Sequence, residues 1–214
     1  MKLDCVLFDH DDTLLPTFAL RAKVLSQAAQ EVLDIDIDSQ AFLAAAHGRN
    51  LEQMSVELTR GDSALAARLV RVYRALYYEA NSQGLEPYPG IAVLLTHLRK
   101  RGIRVGVVTS KLASGARDEL SRTGLDVHIE HLTGAEDVQQ HKPAAEPLLR
   151  AIKALEVDAS RTLMVGDTTA DILGARAAGT RSGAALWGAH DPDSLRELNP
   201  DHLLETPAQI LNLL

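Results

Sequence analysis

From Gly90 onward the chain alternates short apolar runs with stretches of helical spacing, a rhythm that few folds can accommodate. Helices are expected at residues 91–101, 114–123, 144–155 and 169–178. Strands are expected at 104–109, near 128–130, at 162–166 and at 182–187. A strand, a crossover helix and a second strand return to one sheet as a right-handed parallel unit, and repeating the unit winds helices over both faces. The expected fold class is therefore α/β, a doubly wound parallel sheet. His202-Leu203-Leu204 fits an edge strand. Residues 207–214 fit a closing helix with Thr206 as N-cap and Pro207 as first residue.

One further strand lies near the start, in the buried-looking run Cys5-Val6-Leu7-Phe8. After Leu14-Leu15-Pro16 the alternation stops, and residues 18–33, 39–47, 50–60 and 62–81 read as helices. Leu65, Leu69, Val72 and Leu76 mark the spacing. Gly84-Leu85-Glu86-Pro87-Tyr88-Pro89-Gly90 then punctuates the chain. The expected organisation is a catalytic core of residues 1–15 and 86–214, interrupted by an inserted helical domain of residues 16–85. No internal repeat or low-complexity tract is visible.

Polar clusters follow three of the expected strands: Asp9-His10-Asp11-Asp12-Thr13, Thr109-Ser110, and Gly166-Asp167-Thr168-Thr169-Ala170-Asp171. Lys142-Pro143 forms a fourth cluster, in a loop. Active sites of open α/β sheets sit at the carboxyl ends of strands. Asp9, Asp11, Asp167 and Asp171 brought together would be four like charges, which calls for a hard divalent cation with oxygen ligands, Mg²⁺ first. With Lys142 beside it, one carboxylate stays ionised and can attack phosphorus. Ser110, backbone N–H groups and Lys142 would then hold the phosphoryl oxygens.

In these four motifs, Asp9-x-Asp11-x-Thr13, Thr109-Ser110, Lys142-Pro143 and Gly166-Asp167-x-x-x-Asp171, the chain resembles the haloacid dehalogenase-like (HAD) phosphohydrolases, over nearly its whole length. The resemblance implies a Rossmann-like core with an α-helical cap, hinged near residues 14–17 and 84–90. It implies Asp9 as nucleophile of an aspartyl-phosphate, Asp11 as general acid and base, and Ser110 and Lys142 as phosphoryl ligands. Asp9, the Asp11 carbonyl and Asp167 would hold Mg²⁺, with Asp171 in or just behind that set. Thr13 would orient the first loop. Asp12 stands where the family more often has Gly, and His10 where an apolar residue is usual. For His10, altered packing is expected, away from the metal.

Substrate contacts are expected from Thr109, Ser110 and Lys111, and from Arg49 in His47-Gly48-Arg49-Asn50, where related caps carry a specificity loop. Lys111 is either a substrate contact or a surface residue at a helix entry. Arg49 either pairs with a carboxylate or second phosphate of the ligand or is a solvated loop charge. The implied activity is Mg²⁺-dependent hydrolysis of small phosphate monoesters, phosphoglycolate-like, with the related pyrophosphatases also close. A sugar-phosphate mutase on the same core and a phospho-acceptor receiver module are the alternatives. Dehalogenation is disfavoured because Asp11 is present.

Composition bounds the partners. Of 214 residues, 46% are hydrophobic and 24% charged, ordinary for a globular protein, and the net charge of −7 disfavours a nucleic-acid surface. No run approaches membrane-spanning length, and the first apolar run breaks at Asp4 and Asp9, so neither a membrane span nor a signal peptide is expected. The lone Cys5 excludes an intrachain disulfide and fits a cytoplasmic protein. A small phosphorylated metabolite is the expected partner, to a monomer or homodimer. His128, His131 and His141 are read as solvated or capping rather than zinc ligands, and Tyr73 and Tyr77 as packing residues. There is no P-loop and no Gly-x-Gly-x-x-Gly after a strand.

Overall fold

A computed structural model describes residues 3–46, 48–81 and 84–214. Six parallel strands form one sheet: β1 (Cys5–Phe8), β2 (Arg104–Val108), β3 (His131–Thr133), β4 (Thr162–Gly166), β5 (Arg181–Ala185) and β6 (His202–Leu204). Their order is β3-β2-β1-β4-β5-β6, so β1 lies between β2 and β4. Val6 pairs with Val105 on one side and Leu163 on the other. Winding reverses direction at β1, which creates a crevice at the carboxyl ends of β1 and β4.

Side-chain alternation splits the four residues of β1 between two cores. Val6 and Phe8 join Val105, Val107, Leu163 and Val165 under α5 (Ile91–Lys100) and α6 (Ala113–Arg122), where Leu94, Leu98 and Leu120 are buried. Cys5 and Leu7 face the other way, onto α7 (Glu146–Leu155) and α8 (Thr169–Ala178) through Leu148, Leu155 and Ala175. Both faces are covered, which is why the strands read as continuous apolar runs.

Between β1 and α5 the described residues form four α-helices, α1 (Phe18–Leu33), α2 (Ser39–Ala44), α3 (Leu51–Leu58) and α4 (Ser63–Ala80). They carry apolar clusters of their own. Ala22, Leu25, Leu43 and Met54 form one, and Ala28, Val32 and Leu69 another. Asn50 and Asp62 cap α3 and α4, Asn50 within a reciprocal capping box with Gln53.

Four expectations need correction. Residues 126–128 make a 3₁₀ turn rather than a strand, and the pairing begins at His131, because the Glu130 carboxylate and amide are already bonded to Val105 of β2. A short helix, α9 (Pro192–Glu197), was not anticipated, although Asp191 caps it and Pro192 opens it. Residues 207–213 are 3₁₀ rather than α-helical, with the Thr206 and Gln209 capping box in place. The second inserted helix ends at Ala44, and His47, to which it was expected to run, lies outside the described residues. No helix among the described residues is long and apolar enough to cross a membrane.

Phe8 is fully buried at the centre of the sheet. Phe8→Ala should therefore cost about 3–5 kcal/mol in urea unfolding, and a loss below about 1 kcal/mol would be incompatible with this core.

Candidate active site

The three strand-end clusters come from adjacent strands, so their side chains meet. Asp9 follows β1, Thr109 and Ser110 follow β2, and Asp167 follows β4. Asp9, Asp167 and Asp171 each offer a carboxylate oxygen, all within 4.8 Å of one another, and all three residues are buried. Asp171 is the third residue of α8 and accepts from the Thr168 amide at 3.1 Å and hydroxyl at 2.7 Å. A Cβ on Gly166 would lie 2.2 Å from the Asp171 carboxyl carbon, so only glycine leaves room for that carboxylate. Thr13 donates to Asp167 at 2.7 Å, holding the first loop against the third.

Lys142 reaches this group from the loop before α7, preceding the cis peptide bond to Pro143. Its ammonium donates to the Val108 carbonyl at 3.0 Å and to Asp171 at 2.6 Å, and stands 3.0 Å from Asp9 Oδ1. Burial would lower its affinity for a proton, but Asp171 and Asp9 outweigh that and hold it above the ordinary lysine range. One ammonium cannot balance three carboxylates. Burial, reinforced by Asp171 and Asp11, pushes Asp9 up to about 6 against the pull of Lys142. Burial, with Asp9 and Asp171 beside it, also raises Asp167 well above the carboxylate range. Asp9 Oδ1 is buried and makes no well-formed hydrogen bond. An all-oxygen, over-charged set with an unsatisfied acceptor fits a hard divalent cation such as Mg²⁺.

Asp11, expected as a fourth member of the acidic group, sends its carboxylate elsewhere. Lys111 donates to Asp11 at 2.9 Å, to both oxygens of Glu119 at 2.8 Å and to the Tyr77 hydroxyl at 3.1 Å. Burial would raise Asp11, but Lys111, Arg21 and His10 together hold it well below the usual carboxylate range. His10 is fully buried, as a packing residue would be, yet its Nε2 lies 2.6 Å from Glu119. Altered packing alone is thus an incomplete account of His10. Asn81, just after α4, donates to Glu119 at 2.9 Å. His10, Asp11 and Glu119 also lie within metal-binding distance of one another, but Lys111 already supplies their positive charge.

Asp12 occupies a left-handed conformation, φ 58°. Its carboxylate accepts the Thr17 and Phe18 amides at 3.0 and 2.9 Å, at the start of α1, and is paired with Arg21 of that helix. The residue that replaces the customary glycine thus fastens the helical insertion to the catalytic loop. Gly188 lies so close that a Cβ there would meet the Asp12 carbonyl oxygen at 1.6 Å, and Trp187 donates to the Thr13 carbonyl at 3.0 Å.

Between the insertion and the strand ends lies a cavity of about 310 Å³, reached by Asp9, Asp11, Thr109, Ser110, Lys111 and Asp167. Ser110 donates to the Gly48 carbonyl at 2.9 Å, so the insertion sits directly on the expected phosphoryl site. Arg49 lines the same cavity, but its guanidinium is bonded to the Ala46 and Ala45 carbonyls and paired with Glu57. Tyr73 and Tyr77 stack with ring centroids 5.9 Å apart, as expected of packing residues, and also line the cavity. Among the described residues, the possible metal-holding groups do not include His128, His131 or His141.

Glu119, Arg21 and Asn81 were missed in the sequence. Arg21 and Glu119 sit on helices and Asn81 just after one, with no motif to mark them, and only the fold brings them to the first loop. The Asp12-Thr17-Phe18 arrangement did carry a signal, an aspartate shortly before a helical run.

Acidic residues at the ends of adjacent parallel strands, a buried lysine among them and a cavity under the helical insertion mark the class as an α/β protein with a polar, over-charged candidate site. Residues 6–185 match the family described as haloacid dehalogenase-like hydrolase. The chain is 32% identical to N-acetylmuramic acid 6-phosphate phosphatase from Pseudomonas aeruginosa, covering all of this chain and 96% of that protein. It is 28% identical to pyrophosphatase PpaX from Halalkalibacterium halodurans, over all of this chain and 97% of that one. The crystal structure of the putative phosphoglycolate phosphatase from Lactobacillus plantarum superposes with a TM-score of 0.88 at 26% identity, covering both chains fully. The chain belongs to the haloacid dehalogenase-like hydrolase family, in its phosphoglycolate phosphatase-like subgroup, and is a phosphohydrolase.

The raised carboxyls make stability depend on pH in a definite direction. Between pH 3.8 and about 6 the folded protein retains on Asp9 a proton that the unfolded chain releases. Without metal, stability should therefore fall as pH rises through that window. A divalent cation that prefers the ionised set should raise Tm more at pH 7 than at pH 5. A Mg²⁺-induced shift equal at both pH values, or none against chelator, would contradict the assignment. Separately, Glu119→Gln leaves Lys111 and His10 short of a buried charged partner and should cost about 1–3 kcal/mol in urea unfolding. Unchanged stability would mean that Glu119 is not bonded as described.

Proposed function

We propose that this phosphohydrolase cleaves small phosphate monoesters, of the kind that phosphoglycolate and sugar phosphates represent, through an aspartyl-phosphate on Asp9 with Mg²⁺ as cofactor. The observation that carries the reading is the buried Asp9, Asp167 and Asp171 set with the Lys142 ammonium 3.0 Å from Asp9. Bound at Asp9, Asp167 and the Asp11 carbonyl, with Asp171 close by, Mg²⁺ would neutralise developing phosphoryl charge. The relatives named as acting on a sugar phosphate and on pyrophosphate support the general class.

In the first half-reaction an Asp9 oxygen forms the new bond to phosphorus as the bond to the leaving oxygen breaks. Lys142, Ser110, Thr109 and nearby amides hold the phosphoryl oxygens, and Asp11 passes a proton to the departing alkoxide. In the second, Asp11 takes a proton from the attacking water, and phosphate leaves Asp9. Asp11 begins as the partner of Lys111. A phosphoryl dianion competes for that ammonium, which restores the proton affinity that Asp11 needs to serve as an acid. Ser110 is similarly engaged with Gly48 and must exchange that carbonyl for a phosphoryl oxygen. Arg49 would remain a wall of the pocket unless it leaves Glu57 for the ligand.

In this reading, residues 16–85 form a cap domain that opens about residues 14–17 and 84–90. Closure excludes bulk water while leaving the hydrolytic water beside Asp11, and completes the pocket. A lone buried thiol, Cys5, raised by burial to about 12, suits a reducing cytoplasm.

Asp9→Asn should reduce turnover by several orders of magnitude while leaving the fold intact. Asp11→Asn should impair an alkyl phosphate by roughly 10²–10⁴-fold and 4-nitrophenyl phosphate much less, since a nitrophenolate hardly needs a proton. Substantial Asp9→Asn activity would refute the covalent route. Equal losses on both substrates would refute the acid role of Asp11.

A further inference from the structure

The cavity is larger than the reacting group requires, and its wall has a definite character. At about 310 Å³ it reaches the lower end of pockets that enclose drug-sized ligands. A phosphoryl group bearing a two-carbon acid, or a second phosphoryl group, would fill only part of it. On the insertion side it is lined by Phe18, Leu43, Met54, Tyr73 and Tyr77. Leu43 and Met54 are buried in the first apolar cluster of the insertion, against which Phe18 and Tyr73 pack.

The charges around this wall are already matched. Four arginines line the cavity, and each is engaged by a carboxylate of the protein: Arg21 by Asp12, Arg49 by Glu57, Arg74 by Glu52 and Arg122 by Asp118. Lys111 is held by Asp11 and Glu119, and His190 stacks on Phe18 and faces Asp12. Among the described residues, no lysine or arginine lining the cavity is without a carboxylate partner. Glu52, Asp118 and Glu119 also face the space. Three of these pairs are partly exposed and weak in themselves, but a ligand with a second anionic group would have to draw an arginine from its carboxylate and then sit beside the carboxylate set free. A neutral group gives up only its water, and apolar and aromatic surface compensates for that loss.

We propose that the pocket selects phosphate monoesters whose leaving alcohol is uncharged and ring-sized, as in hexose phosphates and nucleoside monophosphates, over esters that carry a second anionic group. The proposal rests on the phosphohydrolase reading and narrows it, turning away from phosphoglycolate and pyrophosphate as best substrates.

The test is kcat/KM in Mg²⁺ for glucose 6-phosphate, a nucleoside 5′-monophosphate, 2-phosphoglycolate and pyrophosphate, with 4-nitrophenyl phosphate and acetyl phosphate as general reporters. At least one ring-bearing arm should exceed both doubly anionic substrates by roughly ten- to a hundredfold, and whichever arm leads identifies the sugar or the nucleoside source. Glu52→Gln releases Arg74 and should raise the ratio of 2-phosphoglycolate to glucose 6-phosphate turnover by roughly tenfold. Preference for 2-phosphoglycolate or pyrophosphate in the unmodified protein overturns the proposal, and so does an unchanged ratio in Glu52→Gln. Failure to release phosphate from any ester, the two reporters included, would sink the phosphohydrolase reading and the proposal with it.

Discussion

Three carboxylates are gathered where water cannot screen them, and much of the local architecture answers to that constraint. Like charges at this separation repel strongly in a low-dielectric setting. The chain responds with one ammonium whose donors reach Asp171, Asp9 and the Val108 carbonyl. It adds hydroxyl donors from Thr13 and Thr168, and a glycine at 166 where any side chain would collide with Asp171. Each device reduces the repulsion without abolishing it. The residual excess of negative charge suits the place to a divalent cation.

The same constraint explains why the helical insertion is attached as it is. If the insertion is a cap that roofs a nucleophilic Asp9, as proposed, it must be held in register with the first loop. Asp12 does this from the catalytic loop itself, capping α1 and pairing with Arg21. At the other end of the insertion, Asn81 reaches Glu119, and midway Ser110 meets Gly48. In the proposed mechanism the contact with Ser110 would yield when substrate binds, whereas the one through Asp12 uses atoms outside the reaction. Roof and floor are thus joined by a permanent strap and by an exchangeable contact.

Much of this was legible in the sequence, and the division has physical causes. The sheet could be read because strands buried on both faces are continuous apolar runs, and the acidic set because its members follow those runs directly. Asp11 does act on Asp9, but its carboxylate is paired with Lys111, which the sequence left equally open as a substrate contact or a surface lysine. Glu119 and Arg21 were invisible because a helix residue carries no mark of what another element will place beside it. The strand at His131–Thr133 was displaced for a related reason, since pairing starts where β2 offers free backbone and local propensity decides little over three residues. His10 was recognised as a departure from the family pattern, but its consequence depended on Glu119, more than a hundred positions away.

Asp9 and Asp11, two residues apart, end in opposite electrostatic surroundings, and their directions run contrary to their proposed duties. The nucleophile should be ionised, yet burial raises it to about 6; the acid should hold a proton, yet Lys111, with Arg21 and His10, drives it the other way. Environments that push two carboxylates apart usually reveal their roles directly. Here each environment is set by burial and by the protein's own charged groups. A cation beside Asp9 and Asp167 favours their ionised forms, and a phosphoryl dianion beside Lys111 weakens its hold on Asp11. Each change moves one residue toward its proposed working state, the cation acting on Asp9 and the phosphoryl group on Asp11. In the proposed mechanism, cation and phosphate ester thus act on different carboxylates, and Lys111 links ester binding to the acid.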